Sequence, residues 1–600
     1  MKVREQRDEL IRRLPLLRVG YTVAAVLIAS AYWLVQVVHG SYYRELADNN
    51  RLRKVPIKAP RGLIFDRHER LLVDNVPSYQ LFMDRSRSKD IESSLRHVAA
   101  ILGRPVEGLA SELERYRESS QFSPVLLAES LSLSEVARFS VEALEHPEFE
   151  IEVGHLRVYR HGPIAAHLLG YLGEANEDDL ETSPGELRVG DLVGRSGAEH
   201  TFDESLRGEA GERVVVVDSR GRPLEEHGNE EARPGEPLRL TLDLDLQQEA
   251  ARYFADRVGA AVALDPRNGE ILALVSAPSF DPNLFARRLR RSEWTDILES
   301  AHHPLQNRAL QNEYSPGSVF KIVLAIGGLN DKIVTPQEKV FCGGSTRIYD
   351  RRFRCWKRRG HGSVNLHNAI RESCDVYFYH LGQKLGITRI AHYARLFGFG
   401  VPTRLDIAGE KPGLVPDLEW SQRVRGGPWY PGETISVAIG QGPLLATPLQ
   451  IASMMATVAS GGKRVIPRLE ISNRETADRE TETTILPIEP DVMKIVRDAL
   501  RAVVNERGTG AAARIPGVDI AGKTGTAQVV EQKTWVSSED LPFEMRDHAW
   551  FAAFGGFERP ELVVVVFVEH GGKGSEEAAP LAKLLYEQYF ESDRASNRKS

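Results

Sequence analysis

The chain has 600 residues, 42% of them hydrophobic and 27% charged, with a formal net charge of −7. That length exceeds one hydrophobic core and calls for two or three folded units. The mild acidity excludes nucleic-acid binding, which needs a basic face. The three cysteines, Cys342, Cys355 and Cys374, exclude a disulfide scaffold, because an odd number cannot all pair within the chain.

Residues 19–38 carry no charge and are long enough to cross a bilayer as a helix. Arg4, Arg7, Arg12, Arg13 and Arg18 precede the span, while Arg44, Arg51 and Arg53 follow it. The positive-inside rule then expects residues 1–18 in the cytoplasm, an anchor over 19–39, and the remainder outside. Tyr32 and Trp33 stand where interface aromatics belong. The alternative is a cleaved signal peptide ending at Ala29-Ser30-Ala31, but the apolar run continues past that site.

The next stretch mixes charges with short apolar runs. Residues 88–150 read as helical, in segments such as IESSLRHVAAIL and SLSEVARFSVEAL. GERVVVVDSRGRPL reads as strand, turn and strand, and residues 225–236 as a polar linker. A second unit begins near Pro237. There a strand leads to a helix capped by Asp243 or Asp245, and GAAVALDPRNGEILALVSAP reads as a hairpin turning at Arg267-Asn268-Gly269. LVVVVFVEH reads as a buried strand, followed by a helix over 578–590 and a disordered tail over 591–600. Strands at both ends of this unit, with helices between, predict an α/β (α+β) sandwich whose central sheet joins early and late segments.

The chemistry sits in three short elements. Ser318-Val319-Phe320-Lys321 follows a Pro316-Gly317 turn and opens a helical run. Spacing i to i+3 places hydroxyl and amine on one face, one turn apart. A serine needs a base to become nucleophilic, and a lysine serves only when its amine is neutral. Ser-x-x-Lys alone carries little weight. Lys523-Thr524-Gly525-Thr526 lies in an extended run. There glycine lets a ligand approach the backbone, the threonines offer hydroxyls, and Lys523 offers a cation for a carboxylate. Ser373-Cys374-Asp375 falls between these two.

In this order the three elements resemble those of the penicillin-binding and serine β-lactamase superfamily. The middle element departs from the Ser-x-Asn pattern, since Asp375 replaces the amide; a carboxylate there favours a charged lysine. The resemblance runs along nearly the whole chain. APRGLIFDR (59–67), AAHLLGY (165–171) and GRSGAE (194–199) are similar to N-terminal motifs of class B penicillin-binding proteins. Three further segments are similar to those of the elongation-type branch, the penicillin-binding proteins 2: RRFRCWKRRGHG (351–362), WYPGETISVAIGQG (429–442) and GGKGSEEAAP (571–580).

The resemblance implies a pedestal (dimerisation-like) domain over 40–236 with a helical head at 88–150. A transpeptidase domain over 237–590 follows, with a central antiparallel sheet flanked by helices. It implies a serine-type D-Ala-D-Ala transpeptidase that crosslinks peptidoglycan stem peptides during cell elongation and is acylated by β-lactams. Ser318 would be the nucleophile and Lys321 the base, with Ser373, Asp375 and Lys523 completing the catalytic set. Thr524, Gly525 and Thr526 would bind substrate, and the N–H groups of Ser318 and Thr526 would form the oxyanion hole. Implied partners are a SEDS-type glycosyltransferase, elongation scaffold proteins and the membrane. The implied place is the bacterial inner membrane, single-pass, with the catalytic domain periplasmic. Two other readings stay open: a β-lactam-hydrolysing or sensing relative, and an activator or scaffold of a glycan polymerase. Arg61, Asp66 and Glu199 read as structural, Gly440-Gln441-Gly442 as a tight turn near the site, and His548 and Trp550 as packing residues.

The cysteines leave one further question. Cys342, Cys355, His361 and Cys374 make a Cys₃His set that suits a closed tetrahedral zinc site, with Asp350 and His367 in reserve. No cofactor is needed for catalysis. The resemblance adds that some relatives carry a metal here with carboxylates among the ligands. The alternative is a Cys342–Cys355 disulfide in an oxidising compartment. The arginines of RRFRCWKRR are either a solvated loop or a surface that meets anionic glycan peptide.

Overall fold

A computed structural model describes residues 2–41, 52–117, 124–183, 187, 190–217, 223–287, 291–471, 483–530 and 538–597. The chain divides into two compact units. The smaller takes Met1–Arg61, Pro77–His155 and Arg207–Gly235; the larger takes Gly62–Val76, Leu156–Leu206 and Glu236–Ser600.

In the smaller unit, the helix Lys2–Trp33 and the turn after it include a segment, Pro15–Val38, long and apolar enough to cross a membrane, with none of it buried. Helices Ile91–Leu102, Val106–Arg115 and Leu133–Glu142 occupy the region read as helical. Asp90 and Ser132 cap two of them, the second through a capping box with Glu135. Two readings are corrected here. Val125–Leu131, inside the expected helical stretch, is a strand. Its alternating burial packs Val125, Leu127 and Ala128 against Leu95 and Val98 of the first helix, and this burial outweighs a weak local helical pattern. The expected linker at 225–236 begins as the strand Pro223–Glu230, paired antiparallel with Gly211–Val217. The turn expected between these two strands lies outside the described residues.

The larger unit is built on a five-stranded antiparallel sheet. Helix α1 (Leu244–Tyr253) is capped by Asp243, whose side chain accepts from the backbone N–H of Asp245 and Leu246. β1 (Gly259–Leu264) and β2 (Ile271–Ala277) form the expected hairpin. Gly269 takes the left-handed conformation, φ +81°, and a Cβ there would lie 2.1 Å from Ile466 O. Helix α2 (Lys321–Asn330), strands β3 (Ser345–Ile348) and β4 (Arg351–Arg354), and helices α3 (Asp375–Leu396) and α4 (Pro490–Asn505) follow. β5 (Ile520–Ala527), β6 (His548–Gly555) and β7 (Leu562–Val568) complete the sheet in the order β2-β1-β7-β6-β5. Every residue of β7 is buried, as a strand covered on both faces requires. Helix α5 (Ala578–Asn597) packs Leu581, Leu585 and Tyr586 on one face and extends past the 578–590 expected for it. α2, α3 and Pro448–Ala459 belong to the core on the other.

β2 is an edge strand, and its outer edge is closed by a side chain. The buried Gln247 amide donates to Leu274 O at 3.0 Å and accepts from Leu274 N at 2.8 Å, standing in for a neighbouring strand. Asp66 and Glu199 are structural. Asp66 accepts from the backbone N–H of His68 and Arg70. Glu199, fully buried, pairs with Arg157 at 2.8 Å, and Arg157 also donates to Gly62 O.

Candidate active site

Ser318 sits in a short 3-10 turn, Gly317–Phe320, that runs into α2. Gly317 has φ +53°, and a Cβ on it would lie 2.6 Å from Thr526 O and 3.2 Å from Thr526 N. Its N–H donates to Gly440 O at 2.9 Å. Gly440, at φ +73°, would in turn place a Cβ 2.0 Å from Gly317 O. Three segments therefore meet backbone to backbone, and the approach of Gly317 sets Ser318 beside the end of β5. Gly440-Gln441-Gly442 is a turn at this point, and the Gln441 side-chain amide donates to Thr526 O at 3.0 Å.

One turn after Ser318, Lys321 is wholly buried. Its amine donates to Asp375 Oδ1 at 2.6 Å, Ser373 O at 3.1 Å and Ser373 Oγ at 3.2 Å. Asp375 opens α3, where the N-terminal dipole favours a carboxylate. Burial pushes its carboxyl up from the ordinary value, while the Lys321 charge pulls it down. Ser373 holds φ +54°, a strained conformation for a serine and one that marks functional positions.

Lys523, also wholly buried, lies on β5 and donates to Thr524 O at 2.9 Å. Burial first, then the Lys321 charge, push its amine well below the ordinary value. Gly525 has no room for a side chain, since its Cβ would meet Trp550 Cβ and Val319 Cγ2 at 3.0 Å. Thr524 Oγ1 donates to Thr509 Oγ1 at 2.7 Å. The fold thus gathers all three sequence elements. Lys321, Ser373 and Asp375 are joined by direct hydrogen bonds, Lys523 by charge, and Ser318 by its helical turn and the Gly317–Thr526 approach. Trp550 is a buried packing residue whose indole donates to Ser315 O, and His548 accepts from His570 N.

Sequence reasoning did not single out Thr509, Gln441 as a partner of Thr526, Tyr379 or Trp356. Trp356 donates its backbone N–H to Asp375 Oδ2 at 2.8 Å and its indole N–H to Glu372 O and Ser373 O at 3.0 and 3.1 Å. Tyr379 donates to Arg354 O. The only signal for Trp356 was its place beside Cys355.

Next to Ser373, the ligand atoms of Cys342, Cys355, His361 and Cys374 lie within 4.8 Å of one another. His361 Nδ1 is 3.5 Å from both Cys342 Sγ and Cys355 Sγ, and its buried Nε2 has no hydrogen-bond partner among the described residues. The thiol of Cys374 and the imidazole of His361 hold Cys355 down to about 3, while the Cys374 thiol is pushed up by the same contact. All three thiols are free in this structure. Three sulfurs and one imidazole within 4.8 Å of one another fit a structural metal. The reserve ligands lie elsewhere: Asp350 pairs with Arg347 at 3.3 Å on the surface, and His367 faces Glu506 at 3.9 Å.

Residues 259–587 match the model of the penicillin binding protein transpeptidase domain, and residues 56–240 that of the penicillin-binding protein dimerisation domain. The chain is 35% identical to the peptidoglycan D,D-transpeptidase MrdA of Acinetobacter baumannii, over 95% of this chain and 86% of that one. It is 31% identical to MrdA of Escherichia coli, over 94% and 91%. Among solved structures, penicillin-binding protein 2 in its complex with MreC from Helicobacter pylori superposes with a TM-score of 0.79 at 27% identity, covering 90% of this chain and all of that one. Pseudomonas aeruginosa penicillin-binding protein 2, in complex with WCK 5153, gives 0.68 at 31% identity, with 90% and 96% covered. A structure of a peptidoglycan synthase complex gives 0.71 at 32%, with 96% and 98% covered.

Fold and site together define a transpeptidase of the penicillin-recognising kind. The chain belongs to the class B penicillin-binding proteins, on the elongation-type branch of penicillin-binding protein 2.

Proposed function

We propose that this protein is a membrane-anchored peptidoglycan D,D-transpeptidase of cell elongation, acylated on Ser318. The observation that carries the reading is the buried Lys321 amine, one turn from Ser318 and bonded to both Ser373 and Asp375. In the neutral form Lys321 takes the Ser318 Oγ proton as that oxygen attacks the carbonyl of D-Ala-D-Ala in a stem pentapeptide. Asp375 holds the amine in place. The backbone N–H groups of Ser318 and Thr526 stabilise the oxyanion. The C–N bond breaks, and the departing D-Ala amine takes a proton relayed through Ser373 and Lys523. An amine of a neighbouring stem peptide then attacks the ester and restores the Ser318 hydroxyl. Thr524, Gly525 and Thr526 hold the substrate carboxylate.

The transpeptidase domain is assigned to 237–590 and the pedestal to 40–236. The apolar helix is an uncleaved single-pass anchor in the inner membrane, with the catalytic domain in the periplasm. The pedestal meets a SEDS-type glycan polymerase and an elongation scaffold. Support comes from relatives solved with MreC and in a peptidoglycan synthase complex. Cys342, Cys355, His361 and Cys374 hold a structural zinc, which supplies a crosslink between the loop before Trp356 and the segment holding Ser373.

Intact-mass analysis with a penicillin tests the centre of this reading. One adduct is expected on the wild-type protein and none on Ser318→Ala or Lys321→Ala. Lys321→Ala also leaves Asp375 buried without its cation and should cost about 3–5 kcal/mol of stability. Labelling that survives Ser318→Ala sinks the assignment.

A further inference from the structure

β3 and β4 form a two-stranded antiparallel hairpin, with Tyr349 and Asp350 in the left-handed conformation at its turn. Its inner face is ordinary: Ile348 is buried, Thr346 meets His380 at 3.2 Å, and Phe353 packs on Tyr379 with ring centroids 5.4 Å apart. Its outer face is not. Arg347 stands directly across from Arg352, with Arg354 two pairs along on the same face, and all three are exposed. Like charges directly opposite each other destabilise a hairpin; here Arg347 leans on Asp350 and Arg352 donates to Ser345 Oγ at 3.0 Å. Lys357, Arg358 and Arg359 extend the positive surface, and Asp350 is the sole acid in the segment 345–359 of a chain with net charge −7.

Three features narrow what this surface meets. The charges are nearly all arginine, whose fork matches carboxylates in pairs where lysine offers a point charge. Two exposed rings lie among them, Tyr349 at 51% and Trp356 at 54%, broad apolar faces with a polar edge. The hairpin also runs straight into Trp356, which bonds Asp375 and Ser373, so whatever rests on it arrives at the reacting centre. A carboxylate-bearing peptide on a glycan strand has the required charge, and its sugars offer apolar C–H faces to the aromatic rings. A transpeptidase must seat two such peptides, one as donor and one as acceptor.

We propose that the outer face of the β3–β4 hairpin, with Trp356, Arg358 and Arg359, is the docking surface for the acceptor strand, while the donor peptide occupies the edge of β5. The inference rests on the acyl-enzyme reading above. Its role is capture: an exposed cationic patch steers an anionic partner and weakens as salt rises.

The test uses the full-length protein in detergent and the triple variant Arg347→Gln/Arg352→Gln/Arg358→Gln. Penicillin acylation, which needs no acceptor, should keep its wild-type rate. With purified uncrosslinked glycan-peptide strands as substrate, the acceptor KM should rise about tenfold at low salt, the scale of a few exposed charge contacts. That gap should close at high salt, and Arg→Lys at the same positions should recover only part of it. A thermal melt checks folding, and the single variant Arg358→Gln, expected to shift KM in the same direction, stands in if the triple variant unfolds. Normal acylation with an unchanged acceptor KM overturns the proposal. So does loss of binding to anionic phospholipid vesicles without a KM effect, which would make the patch a membrane contact. Failure of penicillin to label the wild-type protein would overturn both this and the Ser318 assignment.

Discussion

Trp356 and Asp375 are joined by a 2.8 Å hydrogen bond from the tryptophan backbone to the carboxylate, and the same tryptophan side chain clasps the carbonyls of Glu372 and Ser373. One residue therefore spans both sides of the strained Ser373. Replacing it by phenylalanine keeps the backbone bond and removes the indole donor. Trp356→Phe should slow penicillin acylation by about tenfold, a loss of about 1.4 kcal/mol in the transition state, with metal content unchanged. An acylation rate equal to wild type would show that the indole has no part in holding Ser373.

Gly317→Ala addresses the approach of two backbones. The added methyl would sit 2.6 Å from Thr526 O, at a φ of +53° that alanine avoids. Ser318 must shift relative to β5, and small misplacements of reacting groups are costly. Acylation should fall by about 100-fold, measured by stopped-flow with a fluorescent penicillin, while the circular dichroism spectrum is retained.

The metal site is tested by content. Protein purified without chelator should hold about one zinc per chain, the ratio of a closed four-ligand site. Cys374→Ser should lose it and slow acylation, since Cys374 separates Ser373 from Asp375. Metal-free wild-type protein, by mass spectrometry of the native state, would remove zinc from the account.

His167 gives the pH dependence. It is buried with Nε2 2.8 Å from Pro304 O, and burial pushes its imidazole down to about 4. An unfolded histidine titrates near 6.5, so between these values the unfolded chain binds a proton that the folded chain does not. Stability falls as pH drops from about 6.5 to about 4, by at most about 1.4 kcal/mol per unit, and this contribution is flat outside that window. His167→Gln keeps a donor for the carbonyl and should flatten the slope in urea titrations at pH 7, 6 and 5. An identical slope would assign the acid sensitivity to other groups.

What could be read from the chain was local. The one-turn spacing of Ser318 and Lys321, the Asp243 cap and the turn at Arg267-Asn268-Gly269 depend on neighbours in sequence, and the structure has them. The all-apolar β7 declared its burial by composition. The strand Val125–Leu131 did not, because its sequence VLLAESL lies between two helices and lacks the clean alternation of a half-buried strand. Of the strand Pro223–Glu230 only the start was read, at the end of GERVVVVDSRGRPL; its polar continuation over 225–230 hides a strand that Gly211–Val217 holds by pairing. Within the site, the Lys321–Asp375 contact was foreseen only as chemistry, as a carboxylate favouring a charged lysine. The Trp356–Asp375 bond, Thr509 under Thr524 and Arg157 beneath Glu199 join residues distant or unremarkable in sequence, and no spacing rule reaches them.

Both terminal strands of the five-stranded sheet are met by side-chain amides, Gln247 on β2 and Asn505 and Gln441 on the Ile520 and Thr526 carbonyls of β5. At β2 the Gln247 amide fills the one site where another chain could pair with Leu274. At β5, the other terminal strand, no strand among the described residues lies alongside the outer edge. On the reading proposed above, a peptide laid along β5 would be a temporary sixth strand, aligned by backbone hydrogen bonds of the kind that hold the sheet. Its register would then be set by the backbone before any side chain is consulted. On that reading, substitutions of side chains around the cleft would change how tightly a drug is held more than how the natural peptide is laid down.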